Sequence, residues 1–183
     1  MTLSPARGVT VEEFERFALL PENLGRKLQL INGEIVEEMP KLAHARISVR
    51  LIAWLLEYLR RSPIGEVFNE LRITLEDESH NAVVPDICVV VERRGELGAL
   101  GDNDPLPFMP DLLIEIQSEG QGDRHMRDLA DYYLARGGQM VWLIYPDRKL
   151  VEWLTPTERR LLTLDGTIPY PCKHYSPEYA PRR

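Results

Sequence analysis

The sequence predicts an α/β protein: a mixed central β-sheet flanked by helices, with an N-terminal β-hairpin. Three observations carry that expectation. Residues 110–145 read as strand, glycine-rich loop, amphipathic helix and second buried strand, a crossover of the kind that joins parallel strands. Residues 67–75 and 83–91 read as two strands joined by the short polar turn EDESHN, which makes them antiparallel neighbours. Asn32-Gly33, set between two apolar runs, is the strongest short-range hairpin signal.

Composition bounds the rest. At 183 residues the chain is long enough to bury a full core, and one domain over 1–183 is expected, with its core at about 28–154. Hydrophobic residues at 44% and charged residues at 28% are ordinary for a soluble globular protein. A net charge of −7 argues against a basic nucleic-acid scaffold but leaves room for a site where metal ions offset acids. Cys88 and Cys172 fit no zinc spacing, and Cys88, in a buried-strand pattern, reads as a reduced structural thiol. With no signal peptide and no apolar run long enough to span a membrane, a cytoplasmic location is expected.

In chain order, Thr10 and Glu13 form a capping box ahead of the apolar stripe Phe14, Phe17 and Ala18. The hairpin follows, Leu28 to Ile31 and Glu34 to Val36, and Glu34 itself can be a solvated strand-end acid. A helix runs from Ala43 or His44 to Arg61, with Ile47, Leu51, Leu55 and Leu59 inward; His44 reads as a cap or surface residue, or as a site residue. Ser62-Pro63 stops it. The run VVPDICVVV is a central strand broken only by Pro85 and Asp86, and 92–109 reads as a mobile, charged loop. After the strand at 111–118 comes the loop SEGQGD. Then Asp123 is a plausible N-cap for a helix whose inner face is Met126, Leu129, Ala130 and Tyr133. Gly137-Gly138 ends that helix, strands at 140–145 and 149–154 follow, and 161–164 adds an edge strand. The tail from 169 to 183 reads as an extended arm.

The chemistry concentrates in two isolated acids. Glu115 lies inside the apolar run Leu112–Ile116, and Gln117 shares its face. Asp86 is the second lone acid of a core strand. Such a carboxylate is costly unless paired, protonated or bound to a metal. On adjacent strands the two would reach one point at the sheet's edge, where hard oxygen ligands suit Mg²⁺ or Mn²⁺. The metal would polarise a phosphodiester and help generate hydroxide, and Gln117 could orient the attacking water without taking its proton. The plain alternative is a buried pair satisfied by arginine and backbone donors. Asp111, close to Glu115 on one strand, reads as a strand-entry residue.

The segments LQLINGEIVEEMP, AHARIS, VPDICVV, PDLLIEIQS and YLARGGQMVWLIYP, in this order, resemble the Uma-type restriction endonucleases of the PD-(D/E)xK nuclease superfamily, over about Val11 to about Trp153. The resemblance implies a restriction-endonuclease-like core, Mg²⁺-dependent cleavage of DNA and a homodimer. It carries metal-binding roles to Asp86 and Glu115, and site roles to Glu34 and His44. Three positions depart from the pattern. Gln29 stands for a usual glutamate, Leu129 for the usual helix lysine, and Gln117 for the superfamily's other lysine. Two functional classes therefore remain: a metal-dependent endonuclease, or a non-catalytic binding module, for DNA or protein, on the same fold. A lysine restored at 129 would be expected to raise the rate.

Overall fold

The computed structural model describes residues 8–91 and 94–163, and the arm at 169–183, with Cys172, lies outside the described residues. The capping box forms: Thr10 N donates to Glu13 Oε2 (2.9 Å) and Glu13 N to Thr10 Oγ1 (3.3 Å), starting α1 (Val11–Ala18). Helix α1 buries Phe14 and Ala18 against Leu28, Leu30 and Ala82. Leu28 and Leu30 belong to β1 (Lys27–Ile31), which pairs antiparallel with β2 (Glu34–Glu38). Asn32 and Gly33 both take positive φ, 50° and 79°, as a two-residue hairpin turn of matching twist requires. A Cβ on Gly33 would stand 2.9 Å from Gly8 Cα, so glycine is needed there for space as well as for φ.

A six-stranded sheet forms the body, in the order β3 (Gly65–Asn69), β4 (Ile87–Val91), β5 (Leu112–Ile116), β6 (Met140–Tyr145), β7 (Leu150–Leu154) and β8 (Arg159–Thr163). Only β5 and β6 are parallel; the helix that joins them follows the short α3 (Arg94–Leu97) and is α4 (Asp123–Ala135). The sheet is therefore mixed, as expected. Helix α2 (Leu42–Arg61) lays Leu55 and Leu59 over Leu112, Ile114 and Trp142 on one face. On the other, Met126, Leu129, Ala130 and Tyr133 of α4 pack on Leu113, Val141 and Leu143. Strand β5 is thus buried at all five positions, which explains its nearly unbroken apolar sequence.

Several local expectations are revised. The strand at 67–75 ends at Asn69, because Glu70 takes φ 50°; beyond it, Ile73 bridges both Val83 and Leu106. Strand β4 begins at Ile87 rather than at 83, after Pro85, which has no N–H to give to a ladder. The segment expected to be mobile instead buries Leu106 and Met109, with Leu106 N bonded to Arg72 O (2.8 Å). Asp123 is the first residue of α4 rather than its cap, which is Gly122, and it pairs with Arg148 at 2.7 Å. Cys88 is a buried free thiol, pushed up to about 12 by burial and then by Glu115, in keeping with a structural role. No helix among the described residues is long and apolar enough to cross a membrane.

Candidate active site

Register places the two acids. Ile87 of β4 pairs with Ile114 of the antiparallel β5, and one further step along both strands sets Asp86 opposite Glu115. Asp86 Oδ2 accepts the backbone N–H of Ile116 at 2.7 Å. Glu115 alternates with Leu112, Ile114 and Ile116 and so faces α4, where the Tyr133 hydroxyl donates to its Oε1 at 2.6 Å. Asp86 is 1% exposed and Glu115 is 3% exposed. Two carboxylates so placed need a positive partner.

The hairpin supplies it. Its turn fixes the register that sets Lys27 against Glu38. Strand alternation puts Lys27 and Gln29 on one face, toward the sheet. Lys27 Nζ donates to Glu38 Oε2 (2.7 Å) and to Asp86 Oδ1. Gln29 divides its amide: Nε2 donates to Glu38 Oε1 (2.8 Å), and Oε1 accepts from Val84 N (2.8 Å). Gln121 Nε2 adds a third donor to Glu38 at 3.0 Å. The side chains of Lys27 and Glu38 are each only 6% exposed, so this is an interior charge cluster.

His44, in the first turn of α2, is buried, and so is neither a surface residue nor a cap, the cap position being Lys41. Its Nε2 stands 2.9 Å from Asp86 Oδ2 but off the line of a ring N–H bond, leaving that nitrogen without a hydrogen-bond partner. Gln117 follows β5 at the rim, and its Nε2 is bound to Gln121 O (2.8 Å) and Asp123 Oδ1 (3.2 Å). A cavity of about 150 Å³ lined by Lys41, Ala43, His44, Gln117, Ser118 and Glu119 opens beside it. Glu34 does not join this group. It is exposed beside the turn, at the opposite end of β2 from Glu38, four residues or roughly 13 Å along the strand. Glu38 is the acid of β2 that meets Lys27 and Gln29.

The charges in the cluster set its electrostatics. Burial alone would push the Asp86 carboxyl up, but His44 and Lys27 outweigh burial and hold it below its ordinary value. Glu115 goes the other way: burial first, then the Asp86 charge, raise it well above the usual carboxylate range, against the pull of Lys27. Burial works to lower Lys27, yet Glu115, Asp86 and Glu38 together raise its ammonium above the ordinary value. One acid kept charged and its neighbour pushed toward the neutral form is a pattern concentrated at functional sites.

The structure thus joins Asp86, Glu115 and His44, keeps Gln117 at the rim, and adds Lys27, Glu38, Gln29 and Tyr133, which the sequence reading did not place in the site. A signal for Lys27 was present: Lys27 and Gln29 alternate with buried Leu28 and Leu30, so two polar residues share one face of a short strand. What was lacking was the knowledge that this face meets Asp86. Among the described residues no three of His, Cys, Asp and Glu are grouped to hold a cation unaided.

Similarity to known proteins agrees with this geometry. Among solved structures, the chain is similar to the crystal structure of a "putative nuclease belonging to DUF820" from Anabaena variabilis ATCC 29413, with a TM-score of 0.72, 28% identity and 89% of each chain covered. Comparison with curated proteins gave no match. The family described as "Uma2: Putative restriction endonuclease" matches residues 11–168. A nuclease-like fold, paired acids on adjacent strands and a match over most of the chain agree: this protein belongs to the Uma2 family of putative restriction endonucleases.

Proposed function

We propose that the protein is a DNA endonuclease that hydrolyses phosphodiester bonds with Mg²⁺ or Mn²⁺ held by Asp86 and Glu115. The observation that carries this reading is the convergence of the two buried carboxylates, with His44 Nε2 at 2.9 Å from Asp86 Oδ2. The carboxylate oxygens of Asp86 and Glu115 are donors of the kind that suits a hard divalent cation. When bound, the metal supplies Lewis acidity at the phosphate and a more acidic water.

The protein's own groups do the positioning. The Ile116 N–H fixes Asp86 and the Tyr133 hydroxyl fixes Glu115, so neither carboxylate must be reoriented for each turnover. Gln117, with its amide nitrogen engaged by Gln121 and Asp123, presents its carbonyl oxygen as an acceptor that can orient a water. A second cleft on the hairpin side of the acids is lined by Arg26, Lys27 and Arg72 together with Glu37, Glu38 and Glu70, and Arg26 and Arg72 are paired with Glu37 and Glu15.

The test is cleavage of plasmid and duplex DNA by the full chain with Mg²⁺ or Mn²⁺. Cleavage lost in EDTA and in Glu115→Ala is expected; cleavage persisting in either would overturn the assignment. One observation favours a second reading, a non-catalytic binding module: Lys27 already pairs with both Asp86 and Glu38. DNA binding that is unchanged in Asp86→Ala, with no Mn²⁺ uptake by calorimetry, would establish that alternative. The homodimer that the family resemblance implies belongs to the same proposal and is checked by light scattering.

A further inference from the structure

We propose that Lys27, carried by the hairpin strand β1, is the lysine of this site: its ammonium balances the acids in the metal-free protein, yields Asp86 to the metal, and then meets the substrate phosphate. The inference deepens the nuclease reading and rests on it. Helix α4, where a lysine would ordinarily be sought, offers Leu129, which is buried in the apolar cluster with Met126 and Val83. Position 117 offers an amide. Lys27 is the lysine that touches the acids, through Asp86 Oδ1 and Glu38 Oε2.

Geometry makes both halves of the role possible. The ammonium reaches Asp86 from the side opposite His44: Lys27 holds Oδ1, while His44 and the Ile116 N–H lie at Oδ2. A cation coming onto Asp86 therefore competes with Lys27 for one oxygen without disturbing the backbone bond that orients the carboxylate. Glu38 is the anchor that remains, kept in place by Gln29 and Gln121. A lysine so tethered has three donors and one fixed partner, and it lines a cleft that it shares with Arg26, Arg72, Glu37, Glu38 and Glu70. There a protonated amine stabilises charge on a phosphoryl oxygen as a point charge, without giving up its proton.

The experiment uses the full chain with Lys27→Met and three readouts. In calorimetry with Mn²⁺, Lys27→Met is expected to bind the ion about 10-fold more tightly than the parent, because the competing ammonium is gone. In EDTA it is expected to melt below the parent, and Mn²⁺ should recover more melting temperature for the variant than for the parent. DNA cleavage at saturating Mn²⁺ should fall by about 100-fold or more. Mn²⁺ affinity equal to or weaker than the parent's, or cleavage within about 3-fold of it, overturns the proposal. If Lys27→Met does not fold, Lys27→Gln, which keeps a donor for the carboxylates, takes the same measurements. Failure of both to melt cooperatively even with Mn²⁺ also overturns it, since the ion would then be unable to take over the charge. A parent that binds Mn²⁺ and does not cleave DNA sinks the nuclease reading instead, and the affinity and melting readouts still decide whether Lys27 competes with the ion.

Discussion

Tyr133→Phe isolates one contact of the site with little else changed. The Tyr133 ring is 0% exposed and packs with Met126, Leu129 and Ala130, so phenylalanine keeps the packing and removes only the oxygen. What is lost is the 2.6 Å hydrogen bond to Glu115, the only side-chain donor that reaches that carboxyl among the described residues. With Glu115 pushed toward its neutral form, such a bond is worth about 0.5–1.5 kcal/mol net, and leaving the carboxyl buried without its donor costs about 1–3 kcal/mol. For a chain of this size that is a melting-temperature loss of roughly 2–4 °C per kcal/mol. Denaturant unfolding in EDTA, run as a double-mutant cycle with Glu115→Gln, would assign the loss to the pair, with a coupling above about 0.5 kcal/mol. The same variant should bind Mn²⁺ about 10–100-fold more weakly, because a ligand that has lost its outer support is no longer held in place. Additivity in the cycle together with parental Mn²⁺ affinity would refute the reasoning, and would make Tyr133 an ordinary core aromatic.

Two further outcomes follow from the same geometry. Leu129→Lys exchanges a core leucine for an amine, losing about 1.5–3 kcal/mol of apolar burial in a site that Lys27 already serves. The rise in rate expected from the sequence is therefore revised, because Leu129 is a buried core residue: the variant should melt lower and cleave DNA no faster than the parent, and a faster variant would show that α4 can still deliver a working lysine. Glu115 sets a pH dependence: an unfolded glutamate titrates near roughly 4.3, whereas burial and then Asp86 raise the native carboxyl well above that. As pH rises past the unfolded value, only the unfolded state sheds its proton, so stability falls until the native carboxyl ionises too. In EDTA, Glu115→Gln should therefore gain on the parent as pH rises from about 4, and a difference in melting temperature that does not change with pH would contradict the shift.

Much of the fold was legible because its signals were local. The Asn32-Gly33 turn, the Thr10 and Glu13 box, the stripe on α4 and the apolar run of β5 each state their own conformation within a few residues. The pairing of Asp86 with Glu115 was legible too, since lone acids on neighbouring core strands must answer each other. What failed was long-range. Lys27 is 59 positions from Asp86, and nothing near either residue announces the contact. Glu34 and Glu38 share a strand face, and only the docking angle of the hairpin shows which one enters the cluster. The segment at 92–109 looked unconstrained because its charges and glycines are conspicuous, while two buried side chains, Leu106 and Met109, decide its placement.

The site is split between two pieces of structure with separate apolar anchors. Asp86 and Glu115 stand on the large sheet, whereas Lys27 and Glu38 ride on a two-stranded ribbon. That ribbon is fastened by Phe14, Ala18, Leu28, Leu30 and Ala82, and by the backbone bonds between Leu30 and Ala82. The charges and the small apolar cluster are consequently two hands on one clasp. Loosening the contacts around Phe14 is expected to weaken the hold of the ammonium on the acids. A change at a buried phenylalanine on the first helix, in a different apolar cluster from the acids, should thus be felt as a change in charge balance at the carboxylates.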